Sequence, residues 1–326
     1  MSAGPDPRES VLDQAQLAAV AHAAEVLRRG GLVAIPTETV YGLGADASNE
    51  SAVRRVFAVK GRPADHPLIV HIADSGRIDD WAVEAPDSAR ALAEAFWPGP
   101  LTLLLRRGPS VLDVVTGGRP TIGLRVPAHP LTSALLEAFG GGIAAPSANR
   151  FGRVSPTTAA HVVADLGHDV DFVLDGGACT IGVESTIVDC TLDPPMILRP
   201  GAVTAEQLDT ALGIAVSRRA SGPARAPGMI AAHYAPRARV ELVADDEAAE
   251  RALAEHRRAG SRVGRLEAPV DLDEVARRLY AAFRSADDDH LDVLVIVLAP
   301  ETGIGVAIND RLRRAATGSA SRHADD

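Results

Sequence analysis

Apolar residues in this chain come in short runs, each stopped by proline or glycine. Residues 32–35 (LVAI) end at Pro36, and residues 68–72 (LIVHI) and 101–105 (LTLLL) are similarly brief. Runs this short, bounded by turn residues, read as buried strands. Between them lie stretches with apolar residues on one helical face. Residues 14–29 carry Leu17, Val20, Ala24 and Leu27 on one side and stop at Gly30 and Gly31. A second helix presents Val53, Val56 and Phe57 and ends at Lys60; Gly61 and Pro63 supply the left-handed stop and the breaker. Further strands are expected at 121–126, 143–145, 172–174 and 184–189. This alternation points to a layered α/β fold.

Polar residues gather where the strands end. Thr37, Glu38, Thr39 and Tyr41 follow the first strand, and His71 sits in the second. Arg125 stands among apolar neighbours, where an unpaired buried charge would cost several kcal/mol, roughly, so it needs an anionic partner. Ser147 and Asn149 follow the strand at 143–145. Taken singly, His71 reads as a core histidine, Arg125 as the partner of a structural carboxylate, and Ser147, Asn149 and Ser185 as loop caps or strand-end hydroxyls. Their common placement is what indicates a ligand, because open α/β sheets bind ligands beyond the ends of their strands. Ser155 and Pro156 predict a helix start, as N-cap and first helical residue, for a helix running to about 166. Its N-terminus would then be an anion site.

One lysine, Lys60, stands among 33 basic residues; arginine supplies the rest. A compact ammonium is wanted there, or the helix C-terminus simply attracts a cation through its dipole. The net charge of −10 argues against a protein that grips nucleic acid through a broad basic surface. Cys179 and Cys190 form no paired motif, so neither a disulfide framework nor a zinc site is expected. No signal-peptide pattern and no spanning apolar run are visible, which predicts a cytoplasmic protein. The segment 42–47 (GLGADA) fits a dinucleotide fingerprint in letters only, because six residues separate it from the preceding strand. P-loop, GxSxG, HExxH and kinase signatures are absent.

Near residue 217 the composition turns rich in proline, glycine and arginine, and beyond it strands and helices alternate regularly. The expected division is a catalytic domain over 1–208, a linker over 209–237 and a smaller, mainly parallel α/β domain over 238–326. The last residues, 320–326, are expected to be disordered.

Taken together, PTETVYGLGADA at 36–47, KGRPADHPLIVHI at 60–72, WPGPLTLLL at 97–105, TIGLRVPAHP at 121–130, APSANRFGRVSPT at 145–157 and ESTIVD at 184–189 resemble the YrdC-type threonylcarbamoyl-AMP synthases. APGMIAAHYAPR in the linker and GIGVAINDRLRRAA at 303–316 resemble the long, two-domain form. The resemblance implies a YrdC-like twisted mixed sheet with flanking helices, followed by a Rossmann-like C-terminal domain. It also implies formation of threonylcarbamoyl-AMP and pyrophosphate from L-threonine, bicarbonate or CO2 and ATP with Mg²⁺, the product passing to a separate tRNA-modifying machinery with no stable nucleic-acid binding.

By the same resemblance Lys60, Arg62, His66, Thr121, Ser147, Asn149, Ser155, Arg199 and Tyr234 meet ATP, with Lys60 and Arg62 offsetting charge on the leaving pyrophosphate. Thr39, His71, Arg125, Ala145 and Ser185 meet threonine, whose carboxylate becomes the partner of Arg125. His66 stands where the family usually has asparagine. The linker is expected to close over the labile product as a lid. Rival readings are a carbamoyl-adenylating maturation factor, for which the chain lacks zinc-finger cysteines, a non-catalytic RNA-binding module, which its charge disfavours, and an ATP sensor.

Overall fold

The computed structural model describes residues 12–218, 234–266 and 271–324. Strands are β1 (Val33–Ile35), β2 (Gly42–Asp46), β3 (Ile69–His71), β4 (Ala82–Glu84), β5 (Leu101–Arg107), β6 (Thr121–Arg125), β7 (Ile143–Ala144), β8 (Phe172–Val173), β9 (Thr186–Asp189), β10 (Met196–Arg199), β11 (Ser217–Arg218), β12 (Arg239–Val243), β13 (Val263–Leu266) and β14 (Val293–Val297). Helices are α1 (Gln14–Arg28), α2 (Glu50–Lys60), α3 (Asp87–Phe96), α4 (Asp113–Thr116), α5 (Pro130–Phe139), α6 (Ala159–Leu166), α7 (Ala205–Leu212), α8 (Asp246–Arg258), α9 (Leu272–Asp288) and α10 (Gly305–Ala324).

The first eleven strands form one mixed sheet in the order β11-β10-β9-β5-β6-β3-β7-β2-β1-β8, with β4 paired to β5. Its apolar side chains are buried by helices: α3 and α7 close one side through Leu92 and Leu208, and α1 and α5 another through Leu27 and Leu135. Burial of such leucines contributes about 1.5–3 kcal/mol each. Gly61, at φ 63°, closes α2 in the left-handed conformation that its sequence predicts. The sheet continues to Ser217–Arg218, where β11 pairs with β10. Most of the expected linker, residues 219–233, lies outside the described residues.

The second sheet is parallel, in the order β12-β14-β13. Its helices α9 and α10 pack back against the first sheet's domain. Val40, Val154 and Val183 of the first domain share one apolar cluster with Leu279, Phe283 and Leu312 of the second. At Gly182, with φ 84°, a Cβ would lie 2.5 Å from the Arg277 backbone, so a larger residue there would hold α9 away.

Three expectations require correction. The segment between the strands expected at 32–35 and 68–72, where no strand was expected, contains β2, antiparallel to β1. Gly44 permits this pairing, since a Cβ there would meet the Ile143 side chain at 2.8 Å. The tail expected to be disordered is helical as far as Ala324, and the Ser319 hydroxyl accepts the first free amide of β12, Val240 N–H, at 3.0 Å. The third concerns the helix after Ser155. Here α6 starts three residues later than expected, and its N-cap is Thr158, whose hydroxyl accepts from His161 N–H. Tyr41 N–H donates to the Pro156 carbonyl and Cys179 N–H to that of Thr157, which holds this segment extended. No described helix is long and apolar enough to cross a membrane.

Candidate active site

The parallel pairing of β3 with β6 sets His71 directly beside Arg125, and the antiparallel pairing of β3 with β7 sets it beside Ile143. Strands β3 and β6 end here, where β7 begins, and His71 and Arg125 both line one cavity. It is lined by Thr37, Thr39, Val40, Gly42, Ile69, His71, Arg125 and Ala145 on one side. Pro146, Ser147, Arg62, Glu184, Ser185, Arg199 and Tyr234 complete it. The enclosed space is small, about 50 Å³, on a scale where one water needs roughly 10–15 Å³.

On the first side, the Thr37 hydroxyl accepts from the amides of Thr39 and Val40 and donates to the Val40 carbonyl, fixing the turn. Arg125 donates through Nη1 to the Thr39 hydroxyl at 2.9 Å and through Nε to the Gly99 carbonyl at 3.1 Å. Its Nη2 lies 2.7 Å from Glu38 Oε1, an ion pair, yet neither atom makes an aligned hydrogen bond. The anion that a buried Arg125 demands is therefore present in the chain itself, the structural carboxylate that Arg125 taken singly suggested, beside the ligand carboxylate that the resemblance implies. His71 is buried, and its Nδ1 has no hydrogen-bond partner. Burial first, then the Arg125 charge, hold its pKa at about 3, so the ring is neutral.

On the second side, Arg199 donates through Nε and Nη2 to the Ser185 carbonyl, at 3.1 and 2.8 Å, and through Nη2 to the Ser185 hydroxyl at 3.1 Å. That hydroxyl also lies 2.8 Å from the Thr102 hydroxyl. Arg62 donates to the Pro67 carbonyl, and its Nε is buried without a partner. Burial draws its pKa down to about 10, with the Tyr234 phenol opposing and Arg199 adding to the fall.

Lys60 does not line the cavity. Its ammonium is buried beneath the loop and donates to the carbonyls of Ser147 and Asn149. Burial, and then Arg62, push its pKa well below the usual lysine range. Asn149 lies behind the cavity wall, donating to the carbonyls of Arg150 and Arg153. Ser155 likewise stands behind Glu184, to which its hydroxyl donates at 2.7 Å. His66 and Thr121 are half-buried and outside the lining. Burial, then Arg62, lower the His66 pKa.

Of the expected residues, then, Thr39, Arg62, His71, Arg125, Ala145, Ser147, Ser185, Arg199 and Tyr234 meet at the cavity, while Lys60, His66, Thr121, Asn149 and Ser155 surround it. Glu184, which no residue-level expectation included, is the one carboxylate in the lining. A buried carboxylate inside a predicted strand segment was its only visible signal. Both its oxygens are occupied, by Ser155 on Oε1 and by Tyr280 and Arg311 on Oε2.

Chemically, this is a small, largely apolar-walled cavity carrying three arginines. Donor capacity remains open at Arg62 Nε and Arg125 Nη2. Such a site suits an anionic ligand. Among the described residues no cluster of three His, Cys, Asp or Glu could hold a metal ion.

Residues 25–201 match a family model (Sua5, YciO, YrdC) described as telomere recombination. Residues 203–317 match one described as the threonylcarbamoyl-AMP synthase C-terminal domain. A Bacillus subtilis protein named threonylcarbamoyl-AMP synthase is 42% identical over 93% of this chain and 94% of its own length. A Pyrococcus abyssi protein of the same name is 43% identical over 90% and 92%. The crystal structure of Pyrococcus abyssi Sua5 complexed with L-threonine superposes with a TM-score of 0.87, at 40% identity, over 92% of this chain and 94% of that one.

Proposed function

The chain belongs to the threonylcarbamoyl-AMP synthases, and on that premise we propose that this cavity makes threonylcarbamoyl-AMP and pyrophosphate from L-threonine, bicarbonate or CO2 and ATP. The product serves tRNA modification through a separate transfer machinery, in the cytoplasm. The observation that carries the reading is that two arginines lining one cavity each keep a buried nitrogen without a hydrogen bond, Arg125 Nη2 and Arg62 Nε.

Threonine's carboxylate takes up Arg125 Nη2, with Thr39, His71, Ser185 and the Ala145 main chain around it. The neutral His71 ring adds no charge that would compete. Threonine's amine, once deprotonated, attacks CO2 to give a carbamate. A carbamate oxygen then attacks the α-phosphorus of ATP, forming one O–P bond as the bond to pyrophosphate breaks. Both reactants are anions, so the protein's work is to neutralise and align them. Arg62 and Arg199 face the phosphates directly, with Ser147, Thr121 and His66 nearby. Lys60 acts through the carbonyls of Ser147 and Asn149, fixing the loop that carries them.

Mg²⁺ enters with ATP, held by phosphate oxygens and water, as this ion prefers. The one carboxylate lining the cavity is fully hydrogen-bonded and offers it no ligand. Tyr234 lines the cavity and takes the role of the expected lid, closing over nucleotide and product.

Pyrophosphate release, measured with threonine and bicarbonate omitted in turn, tests the reading. Release should require both. Release without threonine would indicate the carbamoyl-type rival or an uncoupled ATPase, and none from folded protein would leave a binding module.

A further inference from the structure

Glu184 belongs to the first domain, but its partners come largely from the second. Tyr280, on α9, donates its hydroxyl to Oε2 at 2.7 Å, and Arg311, on α10, donates Nε to the same oxygen at 2.8 Å. Arg311 is completely buried, and its Nη1 also reaches the first domain, at the Pro200 carbonyl (3.0 Å), and its own neighbour Asp310 (2.7 Å). Its guanidinium carbon lies 5.4 Å from the centre of the Tyr234 ring, which stacks on Tyr280 at 5.7 Å. The other oxygen of Glu184 receives the Ser155 hydroxyl.

We propose that Arg311 and Tyr280 are positioning residues of the adenylating site: they fix Glu184, the carboxylate of the cavity lining that also receives Ser155, so that the nucleotide side is complete only while the second domain is docked. The inference rests on the synthase reading, and deepens it by giving the C-terminal domain a part in ATP use.

Three observations support it. Both oxygens of the carboxylate are engaged, so it is a fixed anion whose direction is set by three groups, two of them from the second domain. Burial alone would raise its pKa, but the Arg311 charge, followed by Arg199 and the Ser155 hydrogen bond, holds it at about 2, ionised at any working pH. Finally, Glu184 binds Ser155, which the resemblance puts on the nucleotide side, while Arg125 and His71 of the threonine side are held by contacts that do not involve Glu184. Loss of the clamp should therefore reach the nucleotide side first.

The experiment compares wild type with Arg311→Met, Arg311→Met with Glu184→Gln, and Tyr280→Phe, in the full chain. It reads pyrophosphate release against ATP and against threonine, ATP binding by calorimetry, and folding by urea melts. In folded Arg311→Met, the KM for ATP should rise at least about ten-fold while that for threonine moves less than about three-fold, a range accessible to one lost charge-assisted contact. Adding Glu184→Gln should restore part of the loss, because the stranded carboxylate is gone while an amide oxygen still faces Ser155. Tyr280→Phe removes one hydrogen bond and should shift only the ATP side, by a few-fold.

Unchanged or tighter ATP binding in folded Arg311→Met overturns the proposal. So does a parallel loss for both substrates with no recovery in the double variant. Should Arg311→Met not fold, Tyr280→Phe decides in the same terms. Wild-type release that ignores threonine would fail the synthase reading alone, since ATP binding to the variants still tests the clamp.

Discussion

Glu38 and Glu184 are both buried, both beside the cavity, and both paired with an arginine. The first is paired loosely. Its Oε1 meets Arg125 Nη2 at 2.7 Å without hydrogen-bond alignment, and its Oε2 receives one amide, Ala128 N–H, at 3.1 Å. The second is saturated by a serine, a tyrosine and an arginine. An arginine with a misaligned partner keeps a donor to give away. A glutamate with none to spare holds its neighbours still. The difference separates a side of the cavity made to exchange partners from a side made to keep them.

The sharpest way to break this comparison is Arg125→Met. It should lower kcat/KM for threonine on the order of a hundred-fold, as expected for a lost charge-assisted contact of about 2–3 kcal/mol. It should also destabilise the fold by about 3–5 kcal/mol, because Glu38 is left buried and unpaired. Adding Glu38→Gln should recover most of the stability and none of the threonine use. Urea melts and threonine titrations of pyrophosphate release check both halves.

Acid should separate the two sides next. Folded His71 holds its pKa at about 3, against 6.5 for the free ring, so the unfolded chain takes up the proton first. Its contribution is complete above about pH 6.5 and is lost as pH falls toward 3, by up to roughly 1.4 kcal/mol per pH unit. Glu184 is held at about 2 against 4.5, so its contribution is complete above about pH 4.5 and is lost only below that. Stability should therefore decline first through the histidines whose pKa burial lowers, His71 with His66, His129 and His161, before Glu184. His71→Gln should flatten the slope of urea-melt stability between about pH 6.5 and 4.5, leaving the steeper fall below it. An unchanged slope would remove His71 from the account.

The smallest expected effect concerns two hydroxyls three residues apart. Thr158→Ala should cost about 1 kcal/mol of stability, the worth of a helix cap, and leave ATP use unchanged. Ser155→Ala should spare the helix and raise the KM for ATP by a few-fold, roughly the worth of one hydrogen bond. Equal effects of the two would put Ser155 back among ordinary caps.

These outcomes bear on what the sequence could convey. Helices α1 and α2 were legible because their apolar spacing and stop signals agree. Strand β2 was not, since glycine and alanine carry little strand preference and the pairing depends on a close approach to Ile143. Ser155 followed by Pro156 is a sound helix start, but Tyr41 and Cys179 claim the backbone needed for it. On the cavity wall, Thr39, His71, Arg125 and Ser147 stand at strand ends and were visible from order along the chain, whereas Arg62, Arg199 and Tyr234 were named through the resemblance alone. The role of Glu184 was visible from neither. Its arginine lies 127 residues away, in another domain, and no local pattern links a carboxylate to a partner at such distance.

Lys60 has a practical consequence. It is the chain's one lysine, it is 2% exposed, and its ammonium is held by two carbonyls. Amine-directed dyes and crosslinkers therefore find no accessible ε-amino group while the fold is closed. Any label that arrives at Lys60 has waited for the loop above it to lift. The rate of that labelling is a clock for the opening, built into the chain without an engineered probe.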